Sequence, residues 1–444
     1  MYVSEILQAT KGKLLSGDKD EDIQGFNQDS RKIKTGDMYI PIVGERFDGH
    51  DFIDSAFKLG AKAIITSKEV NYPDKIVILV EDTLKALQQM ATYLRSHRDV
   101  KVVAITGSVG KTSTRDMIYS VIKQKYATLK TEGNYNNEIG LPLTILRYHN
   151  ESVMVLEMGM NHLGEMERLS KIALPDISAI TNVGTAHIGE LGSRENILKA
   201  KLEIIAGMKD GSVLVINNDN DMLQKVSLDN LKMIRVGNDS NNDLFVVNKV
   251  ILEQSSEFDV VYQGNLYHFE LSVQGEHNIS NALIAIAIGL QLDIEMDLII
   301  KGVKEFVLTK NRMDIIQSND LTIIDGTYNA SVDSMKASID VLSNYQTRKL
   351  CVLGDMLELG EYSQALHEEV GNYLVSKDID VVICVGKESQ YIVDKASKGI
   401  DEVYHFNSNE EIIAYLKEVL LPKDVILVKG SNGMKLKEIV DGIK

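Results

Sequence analysis

The run Ile105-Thr106-Gly107-Ser108-Val109-Gly110-Lys111-Thr112-Ser113-Thr114 constrains the fold of this chain more than any other stretch. The apolar segment Val100 to Ala104 precedes it, and Arg115-Asp116-Met117-Ile118-Tyr119 follows. That order reads as a buried strand, a glycine turn and a helix start. It is how a chain aims backbone N–H groups at a polyphosphate. Gly107 and Gly110 allow a close backbone approach to phosphate oxygens, Lys111 has the reach for the outer phosphates, and the Thr112 hydroxyl suits Mg²⁺. The loop is shorter than the full Walker pattern, because the position six before Lys111 is Ile105 rather than glycine. Thr106, Gly107, Ser108, Val109, Gly110, Lys111, Thr112 and Ser113 are the candidate ATP contacts.

A chain of 444 residues is too long for one ordinary core, which argues for two to four domains. The net charge of −16 argues against nucleic acid or an anionic membrane surface as the main partner. Cys351 and Cys384 both lie in apolar, strand-like runs with no zinc spacing, so buried thiols in a reducing compartment are expected. The first ten residues, MYVSEILQAT, lack the basic and apolar regions of a signal peptide. The longest apolar stretch, near Ala282 to Leu292, is too short to span a bilayer. A cytoplasmic enzyme is expected.

Three blocks follow from the alternation of elements. In residues 1–98, runs such as Met38–Ile42 and Ala63–Thr66 alternate with helical patterns at Asp51–Leu59 and Asp82–Arg95. Residues 99–311 hold the phosphate loop and further apolar runs at Val153–Leu156, Ala179–Val183 and Val213–Ile216. Helical patterns at 113–125, 162–172 and 194–208 lie between them, which predicts parallel βαβ units. Short alternating runs at Leu244–Val250, Phe258–Gln263 and Leu266–Val273 predict an antiparallel meander added to that sheet. A small-residue helix is expected over Asn281–Leu290. Residues 312–444 predict strands at 321–325, 349–353, 380–385, 402–405 and 424–428 alternating with helices, a Rossmann-like α/β domain. It lacks a G-x-G-x-x-G after its first strand, so dinucleotide binding there is not expected.

Several polar residues stand at the ends of expected strands, where open α/β sheets bind ligands. Glu157 is placed to complete a Mg²⁺ shell begun by Thr112. His187 reads either as a cation or phosphate contact or as a loop histidine bonded to backbone. Lys201, on an expected helix, reads equally as a solvated lysine. Asp29-Ser30-Arg31, the 44–52 segment and Asn134-Tyr135-Asn136-Asn137 suit ligand loops as well as ordinary turns.

Taken together, ITGSVGKTST, TEGNYNNEIGLPLT (131–144), LEMGMNHLGEM (156–166), TNVGTAHIGELGS (181–193), KAKLEI (199–204), GEHNISNAL (275–283) and LGDMLELG (353–360) resemble the Mur ligases. Among these the likeness is greatest to the member that adds D-Ala-D-Ala to a UDP-N-acetylmuramoyl-tripeptide. Residues 29–63 are similar to its uridine-nucleotide domain, so the resemblance spans all three blocks. It implies three α/β domains: one for the UDP-substrate (1–98), a central ATP-binding domain (99–311), and a C-terminal domain for the amine substrate (312–444). The implied activity is ADP-forming amide ligation in peptidoglycan precursor synthesis, with ATP phosphorylating a carboxylate and an amine attacking the acyl phosphate.

By position, the resemblance implies that Lys111 stabilises the transferring phosphoryl group. Thr112 and Glu157 would hold one Mg²⁺, and His187 would help hold a second. Lys201 matches the lysine that is carbamylated in the family and would serve that second metal. Asn278 would contact the adenine side, Arg312 the phosphates, and Asp325 the ATP ribose. Ser30, Arg31, Glu45, Arg46, Asp48 and His50 would hold the uridine nucleotide, with Thr131, Asn134, Asn136 and Asn137 toward the muramoyl-peptide. Tyr328, Asn329, Lys429 and Ser431 would lie on the amine side. A monomer closing about a hinge is expected.

The chain departs from the family in two places. The pattern Asp-Asp-Ser-Tyr-Asn-Ala-Asn-Pro reads here Asp325-Gly326-Thr327-Tyr328-Asn329-Ala330-Ser331-Val332, and Lys-Gly-Ser-Arg reads Lys429-Gly430-Ser431-Asn432. A sibling ligase using another amine or a depsipeptide, and an inactive nucleotide-binding paralogue, are the alternatives these departures admit.

Overall fold

Three sheets, met in chain order, carry the architecture of the computed structural model, which describes residues 1–308 and 313–444. The first contains β1 (Lys13–Ser16), β2 (Phe26–Asn27), β3 (Met38–Tyr39), β4 (Ala63–Thr66) and β5 (Ile76–Leu79), in the order β1-β5-β4-β3-β2. All its pairings are parallel except β1 with β5. The second contains β6 (Lys101–Thr106), β7 (Thr128–Lys130), β8 (Val153–Glu157), β9 (Ile177–Ile180), β10 (Val213–Asn217), β11 (Lys232–Gly237), β12 (Leu244–Ile251), β13 (Ser256–Tyr262) and β14 (Asn265–Leu271). Its order is β14-β13-β12-β11-β10-β9-β6-β8-β7. The third contains β15 (Asp314–Ser318), β16 (Leu321–Gly326), β17 (Lys349–Gly354), β18 (Val381–Val385), β19 (Glu402–Phe406) and β20 (Val425–Lys429), in the order β15-β16-β20-β17-β18-β19.

β6 explains why the phosphate loop sits where it does. Its residues Val102 and Ala104 join one apolar cluster, while Val103 and Ile105 join another on the opposite face. A strand covered on both faces reads as a continuous apolar run, and this one lies between β8 and β9. The chain leaves β6 for β7 and β8 on one side and then crosses to β9 on the other. That makes the loop after β6 a topological switch point, where open sheets leave a crevice.

The expected meander is present, with a refinement. β12 pairs parallel to β11 over Leu244 and Phe245, then antiparallel to β13, and β13 to β14. Gln263 and Gly264, with φ of 50° and 78°, form a two-residue hairpin loop, and Asn265 already belongs to β14. Other differences concern short elements. β15 was not anticipated; it forms a hairpin with β16 through Asn319 and Asp320, whose φ values are 49° and 62°. The pattern expected as one helix over 194–208 is an α-helix Arg194–Leu202 continued by a 3₁₀ turn Glu203–Ile205. The small-residue helix is longer than expected, Glu276–Gln291.

The helix Thr83–His97 starts where the Asp82 carboxylate accepts from the Lys85 N–H at 2.9 Å. Its buried face, Ala86, Leu87, Met90, Ala91 and Leu94, packs on helices of both the first and second sheets, so apolar contact is continuous between them. No helix among the described residues is long and apolar enough to cross a membrane. Cys351 and Cys384 are both buried, and burial pushes both thiols well above their ordinary range.

Candidate active site

The helix Lys111–Ile122 begins at Gly110, whose φ of 80° is a left-handed conformation that glycine adopts without strain. Gly107 is needed for a different reason: a Cβ there would fall 1.8 Å from the Thr181 hydroxyl. Asn182, on the loop after β9, shapes the turn. Its Oδ1 accepts from the N–H groups of Ser108 and Val109, each at 3.0 Å. Those two donors are therefore occupied within the protein, and the anion-facing end is left to the helix start. The ammonium of Lys111 donates to the carbonyls of Gly107 at 2.8 Å and Ser108 at 3.4 Å, folding over the loop.

Beside that helix start, the Thr112 hydroxyl donates to Oε2 of Glu157 at 2.8 Å. Glu157 ends β8 and is 2% exposed. Its carboxylate also accepts from Asn136 Nδ2 at 2.9 Å and from the buried Arg115 guanidinium at 3.2 Å. Thr131 accepts from the Glu157 N–H at 3.0 Å and is fully buried, so it positions this acid from behind. Two hard oxygen donors side by side at a helix N-terminus suit Mg²⁺. Among the described residues no group of three or more His, Cys, Asp or Glu could hold a metal, and Mg²⁺ seldom needs one where substrate phosphates complete its shell.

His187 and Lys201 lie on the other flank. Burial, then the charges of Lys111 and Lys201, lowers the His187 imidazole to about 4, so it is neutral and able to ligate. Lys201 is 2% exposed and forms no ion pair among the described residues. Burial, and secondarily the charge of Lys111, holds its amine far below the usual lysine range. A neutral amine is the form that adds carbon dioxide, so the site fits a carbamate as well as a packed lysine. Lys201 is near enough for its charge to act on His187, and it does not itself line the cleft.

The cleft, of about 990 Å³, lies between the second and third sheets. From the second it takes Ser108 to Ser113, Asn136, Asn137, Glu157, His187 and Asn278; from the third, Tyr328, Asn329, Lys429, Ser431 and Asn432. Asn278 is held by donation to the Gln274 carbonyl at 2.8 Å. Lys429 donates to the Asn329 carbonyl at 3.0 Å, and Ser431 accepts from the Leu357 N–H at 2.9 Å. Neighbouring His277 is lowered to about 4 by burial and by Lys429.

Some expected contacts are not found in the cleft. Asp325 is fully buried, bonded to Lys437 at 2.5 Å and to the Thr327 hydroxyl at 2.6 Å, and does not line it. Here its carboxylate ties the C-terminal helix to β16. Thr106 and Gly107 likewise lie beneath the cleft surface. Arg312 lies outside the described residues. Ser30, Arg31, Glu45, Arg46, Asp48 and His50 are on the first sheet's side and not in this cleft. There Arg31 is exposed and paired with Asp29, and Glu45 and Arg46 are exposed. His50 is buried with both ring nitrogens engaged, by Asp48 at 2.6 Å and by the Ser67 N–H at 3.1 Å, and so helps to build the loop. Asp48 is committed the same way, to His50 and to Lys68 at 2.6 Å, and Lys68 first among these contacts holds its carboxyl well below the usual range. Asn137, which does line the cleft, also accepts from the Gly140 N–H at 2.8 Å at the start of the helix Gly140–Ile145, and Asn134 is exposed.

Three profiles match in chain order: "Mur ligase family, catalytic domain" over residues 22–95, "Mur ligase middle domain" over 105–289, and "Mur ligase, glutamate ligase domain" over 311–432. The UDP-N-acetylmuramoyl-tripeptide–D-alanyl-D-alanine ligase of Bacillus subtilis strain 168 is 39% identical over 99% of this chain and 97% of its own length. The Escherichia coli K12 protein of the same name is 34% identical over 100% and 98%. Among solved structures, MurF from Acinetobacter baumannii superposes with a TM-score of 0.92 at 30% identity, covering 100% of this chain and 98% of that one. A Thermotoga maritima MurF ligase in complex with ADP gives 0.85 at 30% identity, covering 95% and 97%.

Proposed function

Because the chain belongs to the Mur ligase family, we propose that it joins D-Ala-D-Ala to a UDP-N-acetylmuramoyl-tripeptide at the expense of ATP. The full-length match to ligases of that name supports the substrates, and the ADP bound by a similar structure supports the nucleotide. The observation that carries the reading to this chain is the cleft itself, with a phosphate loop on one wall and Tyr328, Asn329, Lys429 and Ser431 on the other. On this reading residues 1–98 take the uridine nucleotide, 99–311 take ATP, and 312–444 bring the amine. The reaction belongs to the cytoplasm, where nucleotide-linked precursors are made.

A carboxylate is a poor electrophile because its leaving group would be oxide. In the proposed route a substrate carboxylate oxygen attacks the γ-phosphorus and the bond to ADP breaks. The free amine then attacks the acyl carbon, phosphate departs with the bonding pair, and the ammonium proton is lost. Lys111 and the first N–H groups of its helix neutralise charge on the moving phosphoryl group. Thr112 and Glu157 would hold one Mg²⁺, and His187 with a carbamylated Lys201 would hold a second. Bound metal supplies further charge neutralisation on the phosphate oxygens.

The test is purified protein with ATP, Mg²⁺, the UDP-muramoyl-tripeptide and a panel of amines. ADP release with D-Ala-D-Ala is expected. Release with another amine, and none with D-Ala-D-Ala, would overturn the dipeptide assignment, on which Gly326 and Asn432 bear. Arg46→Ala, at an exposed position of the first domain, should raise KM for the UDP-substrate several-fold more than KM for ATP.

A further inference from the structure

The third sheet sends one carboxylate to His187. The turn carrying Glu358 docks against the short helix Ile188–Leu191 of the second. The Gly189 N–H donates to the Glu358 carbonyl at 3.2 Å, and the Tyr362 hydroxyl donates to the Gly192 carbonyl at 2.5 Å. Gly189 is packed so closely that a Cβ would meet the Glu358 carbonyl at 2.7 Å and the Gly360 nitrogen at 2.8 Å. Within this contact Oε2 of Glu358 lies 3.1 Å from Nδ1 of His187. That ring nitrogen is buried and makes no aligned hydrogen bond among the described residues, so the Glu358 oxygen lies at contact distance from a polar atom that is still unsatisfied. Both residues are held in the left-handed region, with φ of 64° for His187 and 66° for Glu358. Non-glycine residues take that conformation at a cost, and such strain gathers where a side chain must be aimed.

We propose that Glu358 is a positioning residue for His187, delivered by docking of the third domain. A neutral imidazole has one N–H and one lone pair, and the acceptor next to one nitrogen decides which is which. A carboxylate beside Nδ1 accepts from a proton kept on that nitrogen, fixes the ring and leaves the Nε2 lone pair for a ligand in the cleft. Carboxylate partners of this kind both orient a metal-binding histidine and raise its basicity. This inference rests on the reading of His187 as a metal contact. It adds that cation affinity at that histidine depends on a residue from another domain, so docking and metal binding strengthen one another.

The experiment titrates Mn²⁺ into the full-length protein with ADP, read by electron paramagnetic resonance, for wild type, Glu358→Ala, Glu358→Gln and His187→Ala. Glu358→Ala should weaken the weaker Mn²⁺ site by about 10- to 100-fold. Glu358→Gln should keep most of the affinity, because its amide oxygen still accepts from Nδ1–H. The side chain of Glu358 is 64% exposed, so both variants should fold, and circular dichroism checks this. Unchanged Mn²⁺ binding in Glu358→Ala beside weakened binding in His187→Ala would overturn the inference and leave the metal role of His187 intact. An equal loss in the Gln and Ala variants would overturn it too, since charge alone would then be acting. Unchanged binding in His187→Ala would remove the metal role itself, and the inference with it.

Discussion

Lys201 shows how burial changes which charge state of a side chain is favoured. In water its amine would be protonated and inert to carbon dioxide. Here burial and the nearby Lys111 charge favour the neutral form. Lys201→Ala is expected to reduce ligation by at least about 100-fold, as loss of a preorganised charge group does. Added short carboxylates should restore part of the rate if a carbamate is the working group, as read by ADP release. Asp333 is the opposite case. It packs against Gly184 beside Ser108, with Oδ2 buried and unbonded among the described residues, and burial raises its carboxyl above the ordinary value despite the charges of Arg194 and Lys336. A carboxyl with a raised folded value binds its proton more tightly in the folded chain. Its penalty is absent below the ordinary carboxylate range, grows as pH rises from there to the raised value, and is complete above it. Between about pH 4 and pH 8, Tm of Asp333→Asn should therefore fall less than that of wild type in a calorimetric series. The sequence made Lys111, Thr112 and Glu157 legible because a strand, a glycine turn and a helix start are local signals. Glu358, Asp333 and Asn182 were not legible as site residues, since each acts on an element that only tertiary packing brings near.

At the scale of elements, the contact between the helix Ile188–Leu191 and the 358–362 turn is made largely by backbone. Such a contact tolerates no added atoms on one side. Gly189→Val is expected to prevent docking, lowering kcat on the order of 100-fold, the cost of a misplacement of about 1 Å. KM for the UDP-substrate should hardly move, because the first domain is untouched, and steady-state kinetics with small-angle scattering would check both points. Long elements with a buried face were readable from periodicity, as β6 and the helix Thr83–His97 show. β15 was missed because an edge strand is half exposed and its five residues carry little periodicity, although Asn319-Asp320 was a hairpin signal. The helix boundary at Leu202 was missed because a 3₁₀ turn continues the same apolar spacing.

Across the whole molecule, the helix Thr83–His97 belongs by sequence to the first block and by packing to two. The first and second sheets should therefore melt together. Leu87→Ala, at a fully buried position of that helix, should cost about 2–5 kcal/mol and split the single calorimetric transition in two. Fold class was legible at this scale because alternating strands and helices admit few layer arrangements. Relative placement of the blocks was not, because few local signals record which surfaces meet.

The cleft walled by two separate sheets has a consequence for timing. ATP in an always-complete site would face water for as long as it waited for an acceptor, and idle hydrolysis would drain it. Here one wall holds the phosphate loop and the other belongs to the third domain. The chemistry is thus confined to the interval in which both walls are present and water is displaced. A site divided in this way ties selectivity against hydrolysis to the time the two walls spend together, so that the molecule would act on its fuel as a clock as much as a catalyst.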